Sequence, residues 1–187
     1  MIVSFAWTVP ALLSGSKSVT RRDEWTATHA EHFRPGQLVD AWDRLPRVKG
    51  AQKIGVICVA RAPYRQRSSE IPPDAWHAEG FAWMQSYGSS DDIVRASRIW
   101  LGWREHPVDL YVLEFALVST ICPACGAVVP GPLGFTAGIG GPLFRCCGQC
   151  ALGRYGCRCA LGEPSVARHA YDLSDEQIVA LEEALDR

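Results

Sequence analysis

Long apolar runs are missing from this sequence. No stretch approaches the roughly 18 consecutive apolar residues that a membrane-spanning helix needs. The N-terminus, MIVSFAWTVP, lacks the basic start and extended apolar run of a secretory signal. The expectation is a cytoplasmic protein with no membrane partner. A surplus of charge of one sign is missing too. Nineteen Lys and Arg against 20 Asp and Glu leave a formal net charge of -1, which excludes a globally basic surface as the basis of nucleic-acid binding. No internal repeat is found, so a solenoid built from stacked units is set aside.

What is present suits a folded chain. At 48% apolar and 21% charged over 187 residues, the chain has material for one core, with room for a small appended module. Eight cysteines in a reducing compartment point to metal before disulfides. Residues Ile2 to Trp7 read as a short strand, and TVPALLSGSK as a short helix with Thr8 as N-cap and Gly15 near its end. The basic stretch SGSKSVTRRDEW is therefore expected in a loop. Leu38 to Trp42 and KIGVICVARAPY read as strands. PPDAWHAEGFAWMQSYG and SSDDIVRASRIWLGWREHP read as two helices, the second capped around Ser90, and VDLYVLEFALVST returns to strand. Strands interrupted by short helices suggest an α+β domain or a small, partly open barrel.

After Thr120 the composition shifts. Cys122 to Cys159 is dense in Cys, Gly and Pro and nearly free of apolar periodicity, so it cannot build an oil core of its own. Cys122 and Cys125 form C-P-A-C-G, and Cys147 and Cys150 form C-G-Q-C. Two such knuckles bring four thiolates into the tetrahedral set of a structural Zn2+ site, with no position left open for catalysis. Cys146 leaves the register of the second knuckle ambiguous. Cys157, Cys159 and His169 are either surplus groups or, with Cys146, a second metal set, and Cys58 reads as core. The end, DLSDEQIVALEEALDR, reads as an amphipathic helix with Ser174 as N-cap and Ile178, Leu181 and Leu185 along one stripe. The expected division is 1–119, 120–170 and 171–187.

Local charge departs from the neutral total. Between Arg44 and Ser69 lie Arg44, Arg47, Lys49, Lys53, Arg61, Arg65 and Arg67 with no acid among them. Such a run is either a solvated strand face or a surface for a polyanion.

The stretch LLSGSKSVTRR, with G-x-K-x-x-T-x-R at Gly15, Lys17, Thr20 and Arg22, followed by FRPGQLVDAWDR, KIGVICVARAPY and then E-G-F at Glu79, Gly80 and Phe81, resembles an ASCH domain. This is the small-barrel family related to PUA RNA-binding domains. The resemblance covers roughly residues 2 to 119 and leaves the cysteine segment outside. It implies a PUA-like β-barrel with short helices. Family members include amidohydrolases that deacetylate N4-acetylcytidine. The residues so implied are Lys17, Thr20 and Glu79 as the reactive set and Arg22 as a substrate or phosphate contact. The chemistry is coherent: a desolvated lysine can take the proton of a hydroxyl nucleophile, and a carboxyl group can protonate the leaving amine or activate water.

Trp7, Trp25, Trp42 and Trp76 are candidates for a wall on which a pyrimidine stacks, Trp7 foremost, although core packing is the commoner use of tryptophan. Three functions follow from these readings. The first is a hydrolase of a modified nucleoside or nucleic acid. The second is an RNA- or DNA-binding module, RNA ahead of DNA, with Arg61 and Arg65 on phosphates. The third is an adaptor that recruits a protein partner through the zinc module and the C-terminal helix.

Overall fold

A computed structural model of the chain describes residues 1–122, 126–138 and 141–145. In chain order the strands and α-helices are β1 (Ile2–Ser4), α1 (Val9–Leu13), β2 (Val19–Arg22), α2 (Ala27–Ala30), β3 (Leu38–Trp42), β4 (Lys53–Val59), β5 (Tyr64–Arg67), α3 (Ala75–Ala78), α4 (Phe81–Tyr87), α5 (Ser90–Glu105), β6 (Asp109–Ile121), β7 (Val128–Pro130), β8 (Gly134–Gly138) and β9 (Gly141–Arg145). The fold is α+β: a mixed seven-stranded sheet with helices between its strands. The spine is β6, rich in β-branched and aromatic residues that suit a pleated, half-buried surface. Its first half pairs antiparallel with β2 and β5, and its second half with β4 and β7. Beyond β4 the order continues through β3 to β1, which joins in parallel. Between Leu117 and Ser119 the register on β4 slips, leaving Val118 as an extra residue on β6. A bulge of this kind bends its strand and increases the local twist.

Strand alternation divides the core. Leu113 and Phe115 of β6 join Val3, Phe5, Leu12, Phe33, Val39, Ala41, Ile57 and Val59 in one apolar cluster. Leu110 instead packs with Ile71 and Ala75, against Trp100 and Trp103 of α5. A third cluster joins Ala11 of α1 to Trp83 and Met84 of α4, with Trp7 and Phe135 against it.

Several local expectations change. The first strand ends at Ser4, because the chain tightens into a 3-10 turn over Ala6–Thr8, and the Thr8 hydroxyl donates to the Phe5 carbonyl instead of capping α1. The stretch expected as one helix before residue 88 is two, since Gly80 sits at φ 77 between α3 and α4. The cap of α5 is Ser89, closed into a capping box with Asp92. The largest change concerns the basic stretch. Only part of it is loop: Gly15, at φ 78, reverses the chain after α1 and Lys17 lies in the loop that follows, but Val19–Arg22 enters the sheet beside Tyr111–Glu114.

Position 119, expected as a domain edge, lies inside β6. Val128–Pro130 pairs back onto that strand, and the Leu133 amide donates to the Leu13 carbonyl. A Cβ on Gly15 would stand 2.9 Å from the Pro132 side chain, so this return of the chain leans on the turn that launches β2. Residues 171–187, with the expected C-terminal helix, lie outside the described residues. Among the described residues no helix is long and apolar enough to cross a membrane.

Candidate functional site

The site is assembled where the turn after α1 meets the junction of α3 and α4. The Ala11 carbonyl accepts from both the Ser16 and Lys17 amides, which ties the turn to α1, and the Ser18 amide donates to the Ala78 carbonyl at the end of α3. These bonds bring Lys17 against Glu79, 62 residues further along. The Lys17 ammonium donates to the Glu79 carboxylate at 2.8 Å (Oε2) and to the Glu79 backbone carbonyl at 2.9 Å. It also lies 6.0 Å from the centroid of the Phe81 ring, within reach of a cation–π contact. Lys17 is 3% exposed and Glu79 2%.

The E-G-F triplet thus has three separate tasks. Glu79 supplies the partner and Phe81 the apolar cover. Gly80 supplies room: its φ of 77 is a left-handed conformation, and a Cβ there would lie 2.6 Å from the Ala11 Cβ and 3.1 Å from the Lys17 Cβ.

A third ion completes the cluster. Arg21 of β2 donates from Nη1 to Glu79 Oε1 at 2.8 Å and from Nε to Gln66 Oε1 of β5 at 3.1 Å. Its side chain is 4% exposed. Sequence reading passed over Arg21 in favour of Arg22. The missed signal was strand alternation: on β2, Thr20 and Arg22 share one face and Val19 and Arg21 the other. Thr20 is 4% exposed and stands opposite Leu113, a member of the first apolar cluster. The structure therefore brings Lys17 and Glu79 together. Among the described residues it shows no hydrogen bond from the Thr20 hydroxyl to either. Arg22 reaches the Ser4 carbonyl through Nη2 and lies 3.7 Å from Glu24.

Removal from water dominates the electrostatics of Lys17. Burial pushes its pKa below the ordinary 10.5; Glu79 opposes that shift by charge and hydrogen bond, and Arg22 and Arg21 reinforce it. The ammonium is thus balanced between a carboxylate that holds its proton and a dry, cationic neighbourhood that expels it.

The other candidate residues sit elsewhere or do other work. Trp7, half-buried, stacks on Phe81 at 5.5 Å and 19° between planes, with the Arg95 guanidinium 5.7 Å from its ring. Trp76 meets Phe81 and Trp100 edge-on, and Trp25 stacks on Phe33, so both pack within the protein. Trp42, at the end of β3, is half-buried.

Among the described residues, five of the seven cations from Arg44 to Arg67 meet acids. Arg61 pairs with Glu114, Arg65 and Arg67 with Asp109, Lys53 with Asp40, and Arg44 with its neighbour Asp43. Two surface depressions of about 440 and 450 Å³ lie away from Lys17 and Glu79. One is bounded by Tyr64, Arg65 and Tyr111, the other by Arg22, Trp25 and His29.

Of the four expected zinc ligands, Cys122 alone lies among the described residues; Cys125, Cys147 and Cys150 lie outside them. Cys122 is buried at the end of β6, where its amide donates to the Ala127 carbonyl and its carbonyl accepts from the Gly126 amide. Cys58 is half-buried in β4. Among the described residues no group of three or more His, Cys, Asp and Glu side chains is placed to hold a metal ion.

No family model and no curated protein matches this chain. Among solved structures, it is similar to the crystal structure of protein EF3133 from Enterococcus faecalis V583, of the DUF984 family model. The TM-score is 0.36 and the identity 15%, over 58% of this chain and 68% of that one.

Proposed function

We propose that Lys17 and Glu79 form the reactive centre of a hydrolase acting on an N-acylated nucleoside, of the N4-acylcytidine type, free or within RNA. The observation that carries this reading is the burial of Lys17 in direct contact with Glu79, at two positions that the ASCH-like motifs single out. A lysine whose pKa is lowered by desolvation can act as a base at physiological pH. Lys17 takes a proton from the nucleophile as it attacks the acyl carbonyl carbon. The C–N bond then breaks, and the same proton passes to the departing exocyclic amine. Glu79 holds Lys17 in place, stabilises its protonated form and relays the proton.

The Thr20 hydroxyl has no hydrogen bond to the pair, so the nucleophile that this arrangement serves most directly is water. The pair is enclosed, so turnover requires part of its cover to move. We assign that part to Trp7, half-buried on Phe81, as a substrate contact. In the competing reading, a nucleic-acid-binding module without catalysis, phosphates at Arg61 and Arg65 would have to displace Glu114 and Asp109. The Cys122, Cys125, Cys147 and Cys150 set remains proposed as a structural Zn2+ site.

The test is to incubate the purified protein with N4-acetylcytidine and related N-acyl nucleosides and to follow release of the carboxylic acid. Lys17→Met and Glu79→Gln should abolish turnover, whereas Thr20→Val should leave much of it. Turnover that survives in both of the first two variants removes this mechanism. Loss in Thr20→Val as complete as in Lys17→Met would make the threonine hydroxyl, and not water, the nucleophile.

A further inference from the structure

The ion cluster has an arrangement that the pair alone does not require. Glu79 offers two carboxylate oxygens, and each is taken by a different cation: Oε2 by Lys17 and Oε1 by Arg21, both at 2.8 Å. Arg21 is in turn fixed from outside the pair, because its Nε donates to Gln66 at 3.1 Å. The contact crosses β6 on the diagonal. Arg21 stands opposite Val112 on β6, Gln66 opposite Leu110, and Val112 and Leu110 lie two residues apart on one face. The planar fork of a guanidinium can satisfy a carboxylate on one edge and an amide oxygen on another, which an ammonium cannot do with the same directional control.

We propose that Arg21, anchored by Gln66, is a positioning residue that locks the Glu79 carboxylate with Oε2 turned toward the Lys17 ammonium. The role deepens the functional reading above and rests on it for its catalytic meaning. The orientation itself stands on geometry. The charged groups that act on Lys17 are Glu79 at the end of α3, Arg21 on the same side of β2 and, through charge alone, Arg22 on its other side. From α1 comes the Ala11 carbonyl, and from α4 the Phe81 ring. Arg21 therefore acts twice, by aiming the carboxylate and by adding positive charge beside the amine.

The experiment is a side-chain 15N NMR titration of Lys17 in the full-length protein, its signal assigned by its loss in Lys17→Met. Arg21→Lys, which keeps the charge but not the fork, and Gln66→Leu, which loses only the anchor, should each move the titration midpoint downward, because Glu79 is no longer held against the ammonium; Arg21→Gln, which also removes a like charge, should leave the midpoint above that of Arg21→Lys. With an N-acyl nucleoside as substrate, Arg21→Gln should lose about a hundredfold in kcat, as expected for a misplaced reacting group, with KM little changed. An unchanged midpoint in a folded Arg21→Lys protein overturns the proposal. If that variant does not fold, an unchanged midpoint in Gln66→Leu does the same. A wild-type protein that hydrolyses no N-acyl nucleoside overturns the functional reading instead, and the titration still decides whether Arg21 governs the Glu79–Lys17 contact.

Discussion

Two sets of cations in this protein look alike in sequence and differ in physics. The run from Arg44 to Arg67 is long and conspicuous, yet Arg61 and Arg65 are exposed, each borrowing one acid from β6. The short stretch from Lys17 to Arg22 has fewer charges, but two of them, Lys17 and Arg21, are removed from water around one buried carboxylate. Exposed pairs are screened and contribute little to stability. A buried cluster costs desolvation, so breaking it leaves an uncompensated charge. The difference teaches that the number of charges in a run is a poor guide to a site. What counts is which of them the fold removes from solvent, and around what.

The contrast can be broken most severely at the shared carboxylate. Glu79→Gln leaves two buried cations without their counter-charge and should cost about 3–5 kcal/mol of stability, measured by denaturant unfolding. Gly80→Ala keeps every charge and removes only the space. A left-handed conformation and a clash with Ala11 and Lys17 together should cost about 3 kcal/mol, and a loss below that of an ordinary surface Gly→Ala change would show that the junction is not tight.

Lys17→Met leaves Arg21 and Glu79 as a balanced pair and should change stability little at neutral pH, but it should alter the pH dependence. In the wild type, the unfolded chain holds the Lys17 proton up to about the ordinary 10.5, while the folded chain releases it earlier. Between those two values the unfolded state binds more protons, so this residue makes stability rise with pH through the alkaline range. That rise should be missing from the variant. The smallest effect belongs to the exposed set: Arg65→Ala should cost less than about 1 kcal/mol, and a larger loss would remove the distinction drawn between the two groups.

Much of the frame was legible because its signals are local. Leu38–Trp42 declared itself a strand by composition, and α5 by its serine cap and spacing. The contact between Lys17 and Glu79 was suggested only through resemblance in two short motifs, since nothing local links residues 62 positions apart. Arg21 was missed because the stretch around it was read as loop. Once Val19–Arg22 is a strand, alternation selects Arg21 over Arg22 for the Glu79 side. The helix break at Gly80 was likewise hidden, because glycine within a helical pattern does not by itself announce a positive φ.

By itself, then, the amino-acid order determined most of the local elements, the near-neutral overall charge and the pairs of cysteines, all of which follow from neighbouring residues and their preferences. Tertiary structure alone decided which cations are buried, which face of β2 each side chain takes and which acids neutralise the basic run. Those outcomes depend on long-range strand register and on exclusion of water, and neither is a property of any short stretch of chain.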